Sequence, residues 1–324
     1  MFSVVIPLYN KADYIQKAVA SVLYQTYPAF ELIVINDGST EDSLQRVTPL
    51  IDPRIYVIDQ PNAGVSATRN RGVSLARFEY VAFLDADDWW EPSFLGEMAQ
   101  LILEYGEANL FGCNYYYVKH GKYSVEPKGL PKAFRAGYID YISAYGSQFC
   151  VLLNCSFVVV RKQAFMQVGG FKSTLRFSED FDLWIRLALA GKVAYLNTPL
   201  AYSNQDVVAQ SRAIGSHKLY HPDAHFIFNT GYLKPAEQRS AALKRLLDGL
   251  RVRVLLPYYL ANEYVSEVQA ILAEIDFSQQ PLYYQRAYQS PRMLVHLYFR
   301  LRQMGSWCKQ TLMESRHRTS PATE

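Results

Sequence analysis

Apolar residues fall in short runs broken by polar clusters, and the spacing within each run points to an element. Phe2 to Ile6 and Glu31 to Ile35 ("ELIVI") are β-branched runs of strand length. Between them, Tyr14, Ile15, Ala18, Val19, Val22 and Leu23 recur at helical intervals. "RIYVID" (Arg54 to Asp59) and "FEYVAFLD" predict a third and a fourth strand, with "SATRNRGVSLA" as the helix between them. Strands alternating with helices imply a Rossmann-like α/β fold, a mostly parallel central sheet with helices on both faces. Ligands in such sheets sit beyond the carboxyl ends of the strands. The polar clusters "PLYN", "NDGST", "PNAG" and "DADD" all fall there.

Past Pro92 the pattern changes. Met98 to Tyr105 continues a helix, and "ANLFGCNYYYVKHGKYSVEP" predicts an antiparallel pair turning at His120, Gly121 and Lys122. "CSFVVVRKQAFMQVGGF" reads as strand, helix and a stop at Gly169 and Gly170. "SEDFDLWIRLALAG" predicts a helix with Ser178 as N-cap, acids in its first turn and Gly191 at its end. "KVAYLNTPLAYS" is a last strand, and from Lys234 the chain predicts helix throughout, with a break at Pro257. The expected division is a nucleotide-binding and catalytic domain over 1–215, a C-terminal helical extension over 216–315 and a frayed tail over 316–324.

Composition narrows this picture only at the edges. Half of the 324 residues are hydrophobic and 19% are charged, which suits a chain that buries a sizeable core. Cys113, Cys150, Cys155 and Cys308 show no metal-site spacing, so free thiols and a cytoplasmic setting are expected. The N-terminus lacks a signal-peptide pattern, and polar residues interrupt Tyr141 to Val160, which excludes it as a membrane span. Six basic residues against Glu314 alone lie between Arg292 and Arg318, so the rest of the chain is slightly acidic and nucleic acid is not an expected partner. In that stretch Leu294, Leu297, Tyr298, Leu301, Met304, Cys308 and Leu312 form an apolar stripe. It fits a helix peripheral to an anionic membrane surface, and equally one packed on its own domain or on a homodimer partner.

The "DADD" cluster poses the sharpest chemical question. At strand spacing Asp85 and Asp87 face one side, leaving Asp88 to face away or to cap the following helix. At about 5 Å and an effective dielectric near 20, their repulsion is about 3 kcal/mol, which a divalent cation would reverse. Carboxylate oxygens suit Mg2+ or Mn2+, whose shell substrate phosphates then complete. Simple helix capping, with no metal, fits the same spacing.

"VVIPLYN", "VINDGST", "NAGVSATRNRG", "FLDADDWW" and "FSEDFDLWIRLA", in this order, resemble the inverting glycosyltransferases of family 2, which have the GT-A fold. The likeness covers Phe2 to Ser211; no motif is matched beyond Lys234. It implies a nucleoside-diphosphate sugar donor, a UDP-sugar among them, and a glycan or lipid-linked glycan acceptor, as in surface polysaccharide synthesis. Pro7, Tyr9 and Asn10 would border the nucleobase, Asp37 would meet the base or ribose, and Asn62, Ala63 and Gly64 would form the loop toward the donor. Arg69 or Arg71 would face phosphate, Asp85 would hold ribose or bind the ion through water, and Asp87 would ligate the Mg2+ or Mn2+ directly. Asp180 resembles the general base, while Glu179 would orient acceptor hydroxyls or a neighbouring side chain, and Trp184 would stack on a sugar or fill the core. Where many relatives carry a metal-binding His, this chain has Gln205 and Asp206, with His217, His221 and His225 further on. A dinucleotide oxidoreductase is disfavoured, because no GxGxxG follows the first strand. A non-catalytic glycan- or partner-binding module on the same fold is the remaining alternative.

Overall fold

Apolar runs and helical periodicities resolve into a mixed α/β architecture in the computed structural model, which describes residues 1–50, 52–125, 129–208, 219–295 and 297. Contacts divide the chain into two units, Met1–Leu246 and Leu247–Glu324. The first is built on one sheet of β1 (Phe2–Leu8), β2 (Phe30–Asp37), β3 (Ile55–Gln60), β4 (Tyr80–Phe83), β5 (Trp89–Trp90), β6 (Ala108–Lys119), β7 (Lys122–Ser124), β8 (Ala136–Ile139), β9 (Val158–Arg161) and β10 (Lys192–Asn204). The order is β3-β2-β1-β4-β9-β6-β10-β5, with β7 on β6 and β8 on β10. The first four strands are parallel, as their alternation with helices implies. Beyond them β9 runs antiparallel to β4 and β6, β10 parallel to β6, and β5 antiparallel to β10.

Central strands are buried on both faces, which is why β1 and β2 read as continuous apolar runs. Edge strand β3 is half exposed. Helix α1 (Ile15–Leu23) buries Ile15, Ala18, Val19 and Val22 in a core that also holds Val4, Ile6, Leu32 and Val34. Each of these valine, leucine and isoleucine side chains contributes about 1.5–3 kcal/mol on full burial. Short α2 (Ser43–Val47) follows β2, and α3 (Val65–Leu75) packs tightly on β1. A Cβ at Gly72 would lie 2.3 Å from Val5 Cγ1, so only glycine permits that approach. Helix α4 (Phe94–Glu104) leads into the β6-β7 hairpin, and α5 (Tyr141–Gln148) precedes β9. Helix α6 (Lys162–Gln167) stops where Gly169 and Gly170 take φ of +84° and +63°, and Gly170 N–H returns to Phe165 O at 3.0 Å.

Helix α7 (Glu179–Ala190) starts where the sequence places it, but Ser178 does not cap it with its side chain. Phe177 is fixed in a parallel bridge to His225, and the chain turns out of that bridge at Ser178 with φ +58°. Helix α8 (Lys234–Arg239) precedes α9 (Ala241–Ala261). Two further departures concern the helical region. Helix α9 runs through Pro257 without a break, and the helices are interrupted instead at Asn262 and Tyr264, both at positive φ. Pro257 removes a single backbone donor, while its neighbours Leu255, Leu256 and Tyr258 are buried and hold the helix in line. In the second unit, Val252, Leu256, Ile275, Tyr284, Ala287 and Val295 form a small core with α10 (Val265–Leu272) and α11 (Leu282–Gln289). Most of the basic apolar stripe from Arg292 to Arg318, and Cys308 with it, lies outside the described residues. Among those described, no helix is long and apolar enough to cross a membrane.

Candidate active site

The "DADD" carboxylates do not sit on a strand. Strand β4 ends at Phe83, and Asp85 to Asp88 form a turn in which Asp88 N–H donates to Asp85 O at 3.1 Å. Strand alternation therefore does not sort the three acids; the turn does. Asp85 and Asp87 stay partly open to solvent. Asp88 is buried, and its Oδ1 accepts the Asn204 N–H at 2.8 Å, tying the turn to the end of β10. It caps no helix, since α4 starts after Ser93.

Two protein cations answer the two open acids. Lys11 Nζ lies 2.6 Å from Asp87 Oδ2. Arg69 Nη2 lies 2.7 Å from Asp85 Oδ1, and its Nη1 lies 3.0 Å from Glu179 Oε1. Arg69 is buried, with Phe171's ring 5.3 Å from its guanidinium carbon, so it does not face outward to a phosphate as expected. Arg71 instead reaches Gln60 Oε1 at 2.6 Å. The repulsion that suggested a bound ion is thus already balanced by Lys11 and Arg69.

Asp180 stands beside this cluster at the start of α7. Burial and the neighbouring Glu179 charge push its carboxyl up to about 7, against the opposing pull of Arg69 and of the Phe181 N–H. A carboxylate poised there can take a proton near neutral pH. Trp184, expected to meet a sugar or fill the core, does the latter: it is fully buried and packs edge-on against Phe171 at 6.2 Å. Asp182, also fully buried, accepts from Lys172 at 2.8 Å, from Tyr232 Oη at 2.5 Å and from Arg186. It anchors the helix that carries Glu179 and Asp180.

On the donor side, Asp37 is buried at the end of β2 and draws in the loop after β3. Its Oδ1 accepts from Ala63 N–H at 2.8 Å and Gln60 Nε2 at 2.7 Å, and its Oδ2 accepts from Gly64 N–H at 2.9 Å. Asn62 Nδ2 donates to Asp37 O at 2.9 Å, and Gly64 takes φ +88°. Asn10, at φ +51°, accepts from Thr40 N–H at 2.9 Å, while Tyr9 next to it is 47% exposed and Pro7 lies in β1. A polar cavity of about 460 Å³ opens beside this loop, lined by Asn36, Gly38, Ser39, Gln45, Asp59 and Gln60 among others.

Asp85 and Asp87 each commit one oxygen to a protein cation, which leaves one oxygen apiece for a hard divalent ion. That donor set fits Mg2+ or Mn2+ completed by water and phosphate oxygens. A third protein ligand is not supplied: among the described residues no group of three or more His, Cys, Asp or Glu is arranged to hold a metal. Asp206 accepts from the His120 and Gly121 backbone in the β6-β7 turn, and Gln205 donates to Ser203 Oγ. His225 is buried, with its ring pushed down to about 4, and its Nδ1 accepts from Ile227 N–H. His221 is bonded locally to Asp223, and His217 lies outside the described residues.

Sequence reasoning missed Lys11 and the clasp made by Arg69. The pairing of β1 with β4 sets the loops after both strands side by side, and that adjacency brings "YNK" against "DAD". No periodicity announces it.

The description of glycosyl transferase family 2 matches residues 3–164. Glycosyltransferase GlyA of Streptococcus pneumoniae is 27% identical over 219 residues, 67% of this chain and 30% of that protein. The chondroitin synthase of Pasteurella multocida is 29% identical over 200 residues, 61% of this chain and 20% of the synthase. The chain thus spans less than a third of the length of these two relatives. Among solved structures, residues 1–349 of S. aureus TarS in complex with UDP-GlcNAc superpose with a TM-score of 0.58 at 18% identity, over 83% of this chain and 90% of that one.

Proposed function

The chain belongs to glycosyl transferase family 2, and on that premise we propose that it moves a sugar, with inversion, from a nucleoside-diphosphate sugar to a hydroxyl of a glycan or lipid-linked glycan. The observation that carries this reading is the Arg69 clasp, which joins Asp85 on the donor side to Glu179 beside Asp180. Asp180 takes the proton of the acceptor hydroxyl as its oxygen attacks the anomeric carbon. The bond from that carbon to the diphosphate oxygen breaks, and the electron pair leaves with the nucleoside diphosphate. Glu179 orients the acceptor. Asp37, through the loop at Asn62 and Gly64, shapes the nucleotide pocket together with Pro7, Tyr9 and Asn10.

Asp87 and Asp85 would hold Mg2+ or Mn2+, which supplies neutralisation of the leaving diphosphate. A UDP-sugar is the donor favoured, because the TarS structure was solved with UDP-GlcNAc. Polysaccharide synthesis is the favoured setting, as the name of the Pasteurella relative suggests.

Purified protein titrated with a panel of nucleotide sugars and Mn2+ tests the proposal by donor hydrolysis and thermal shift. Hydrolysis of one donor that Asp180→Asn abolishes supports it. Ligand binding without hydrolysis or transfer in any pairing would favour a glycan-binding module instead. For the stretch from Arg292, association with anionic vesicles, lost on deleting residues 292–324, is the test of a place at the cytoplasmic membrane face.

A further inference from the structure

Lys11 is not among the groups that the proposed transfer uses, yet its ammonium sits on the acid assigned to the metal. Nζ is 2.6 Å from Asp87 Oδ2, and the two side chains are 12% and 20% exposed. The backbone around it is fixed: Lys11 N–H donates to Ser43 Oγ at 2.7 Å, and its carbonyl accepts from Tyr14 and Ile15, each at 3.0 Å. Only the side chain is left to move.

Charge balance says when it moves. Among the ion-paired groups, Asp85, Asp87 and Glu179 bring three negative charges, of which Lys11 and Arg69 cancel two, and burial holds the neighbouring Asp88 and Asp180 carboxyls toward their neutral forms. A divalent cation entering alone would take the cluster from one negative to one positive charge. It would also set a dication against an ammonium on a single carboxylate. The diphosphate of a sugar nucleotide brings two negative charges and restores the balance. Arg69 is buried between two acids and cannot step aside; Lys11, on a flexible four-carbon stem, can.

We propose that Lys11 is a resident counter-cation that competes with the divalent ion for Asp87, so that the ion binds well only together with the diphosphate, onto which the displaced ammonium then turns. The inference rests on the assignment of Asp87 as metal ligand. Its consequence is a thermodynamic coupling: nucleotide strengthens metal binding and metal strengthens nucleotide binding by the same factor.

The test is a Mn2+ titration, read by calorimetry or by the electron paramagnetic resonance of free Mn2+, on wild type, Lys11→Met and Asp87→Asn, each with and without UDP. Thermal melts check that the variants fold, and Lys11→Gln replaces a Lys11→Met that does not. Without UDP, removal of the ammonium tightens Mn2+ binding about tenfold, the scale of one partly buried ion pair. The enhancement of Mn2+ binding by UDP shrinks by that same factor. Mn2+ binding that Asp87→Asn weakens but Lys11→Met leaves unchanged overturns the inference alone. Mn2+ binding indifferent to Asp87→Asn overturns it together with the metal assignment.

Discussion

Arg69 Nη1 donates to Glu179 Oε1 at 3.0 Å, although 110 residues separate the two in sequence. With its other nitrogen on Asp85, this guanidinium makes the end of β4 and the start of α7 one rigid piece. Lysine at the same place has a point charge and no fork, so it can serve one acid and not both.

Arg69→Lys is therefore expected to lower kcat by about 10²-fold, with a smaller change in donor KM, since misplacing a positioned group costs on that order. Arg69→Met leaves Asp85 and Glu179 without their cation and is expected to cost about 2–3 kcal/mol of stability. That is below the range for a fully buried pair because Asp85 keeps contact with water. Steady-state kinetics and urea melts read the two effects separately. Equal kinetics for arginine and lysine would remove the clasp from the mechanism.

Asp180 provides a pH test whose sign can be worked out. Its native carboxyl is pushed up to about 7 from the ordinary 3.8, so the folded protein holds a proton that the unfolded chain releases. The stability this contributes is complete below about 3.8 and is lost progressively as the pH rises to about 7. Asp180→Asn is thus expected to melt higher than wild type above pH 7, with the difference fading toward pH 4. Activity runs the other way: wild-type kcat rises with pH through about 7 as the base ionises, and the asparagine variant loses about 10²–10⁴-fold, the scale of general-base removal. A melting difference that does not change with pH would place the raised carboxyl elsewhere.

Much of this arrangement is legible in the sequence. The β1 to β4 parallel core, the helices between those strands and the gathering of polar clusters at one sheet end follow from apolar runs alone. Asp85, Asp87, Glu179 and Asp180 stand out by motif, and the structure sets Asp85 and Glu179 on one guanidinium. What the sequence hid was local conformation under tertiary constraint. Ser178 looks like an N-cap, but the bridge of Phe177 to His225 sends it into the left-handed region. Pro257 looks like a helix breaker, but buried neighbours carry the helix through it. No motif or periodicity singles out Lys11, and only the pairing of β1 with β4 brings it to Asp87. Trp184 looked able to meet a sugar, and nothing in a helical repeat says which turn faces the core.

Asp182 is the acid on α7 whose role is mechanical. It is fully buried and answers Lys172, Arg186 and Tyr232 together. Replacing it with alanine leaves Arg186, mostly buried, without its carboxylate, and about 3 kcal/mol of stability should be lost. Because α7 carries Glu179 and Asp180, kcat should fall as well, but the pH at which activity rises should stay that of wild type. Chemical denaturation and a pH-rate profile together separate this anchoring role from a part in proton transfer.

Asp88 settles what the third carboxylate of the "DADD" turn does. As a helix cap it would act on α4, yet that helix begins after Ser93, and Asp88 Oδ1 accepts instead from the Asn204 N–H at the end of β10. Asparagine keeps an amide oxygen in the same place and can still accept that bond. Alanine leaves a backbone donor unmatched beside a buried turn, which costs about 1–3 kcal/mol. Asp88→Asn should therefore stay within about 1 kcal/mol of wild type, while Asp88→Ala falls clearly below it by urea melts. The bond also holds the turn against β10, so the alanine variant should bind nucleotide and Mn2+ more weakly in a thermal-shift titration, and the asparagine variant should not. Equal losses in both variants would mean that the contact of the Asp88 carboxyl with Ser156, and not the tie to Asn204, is what the site requires.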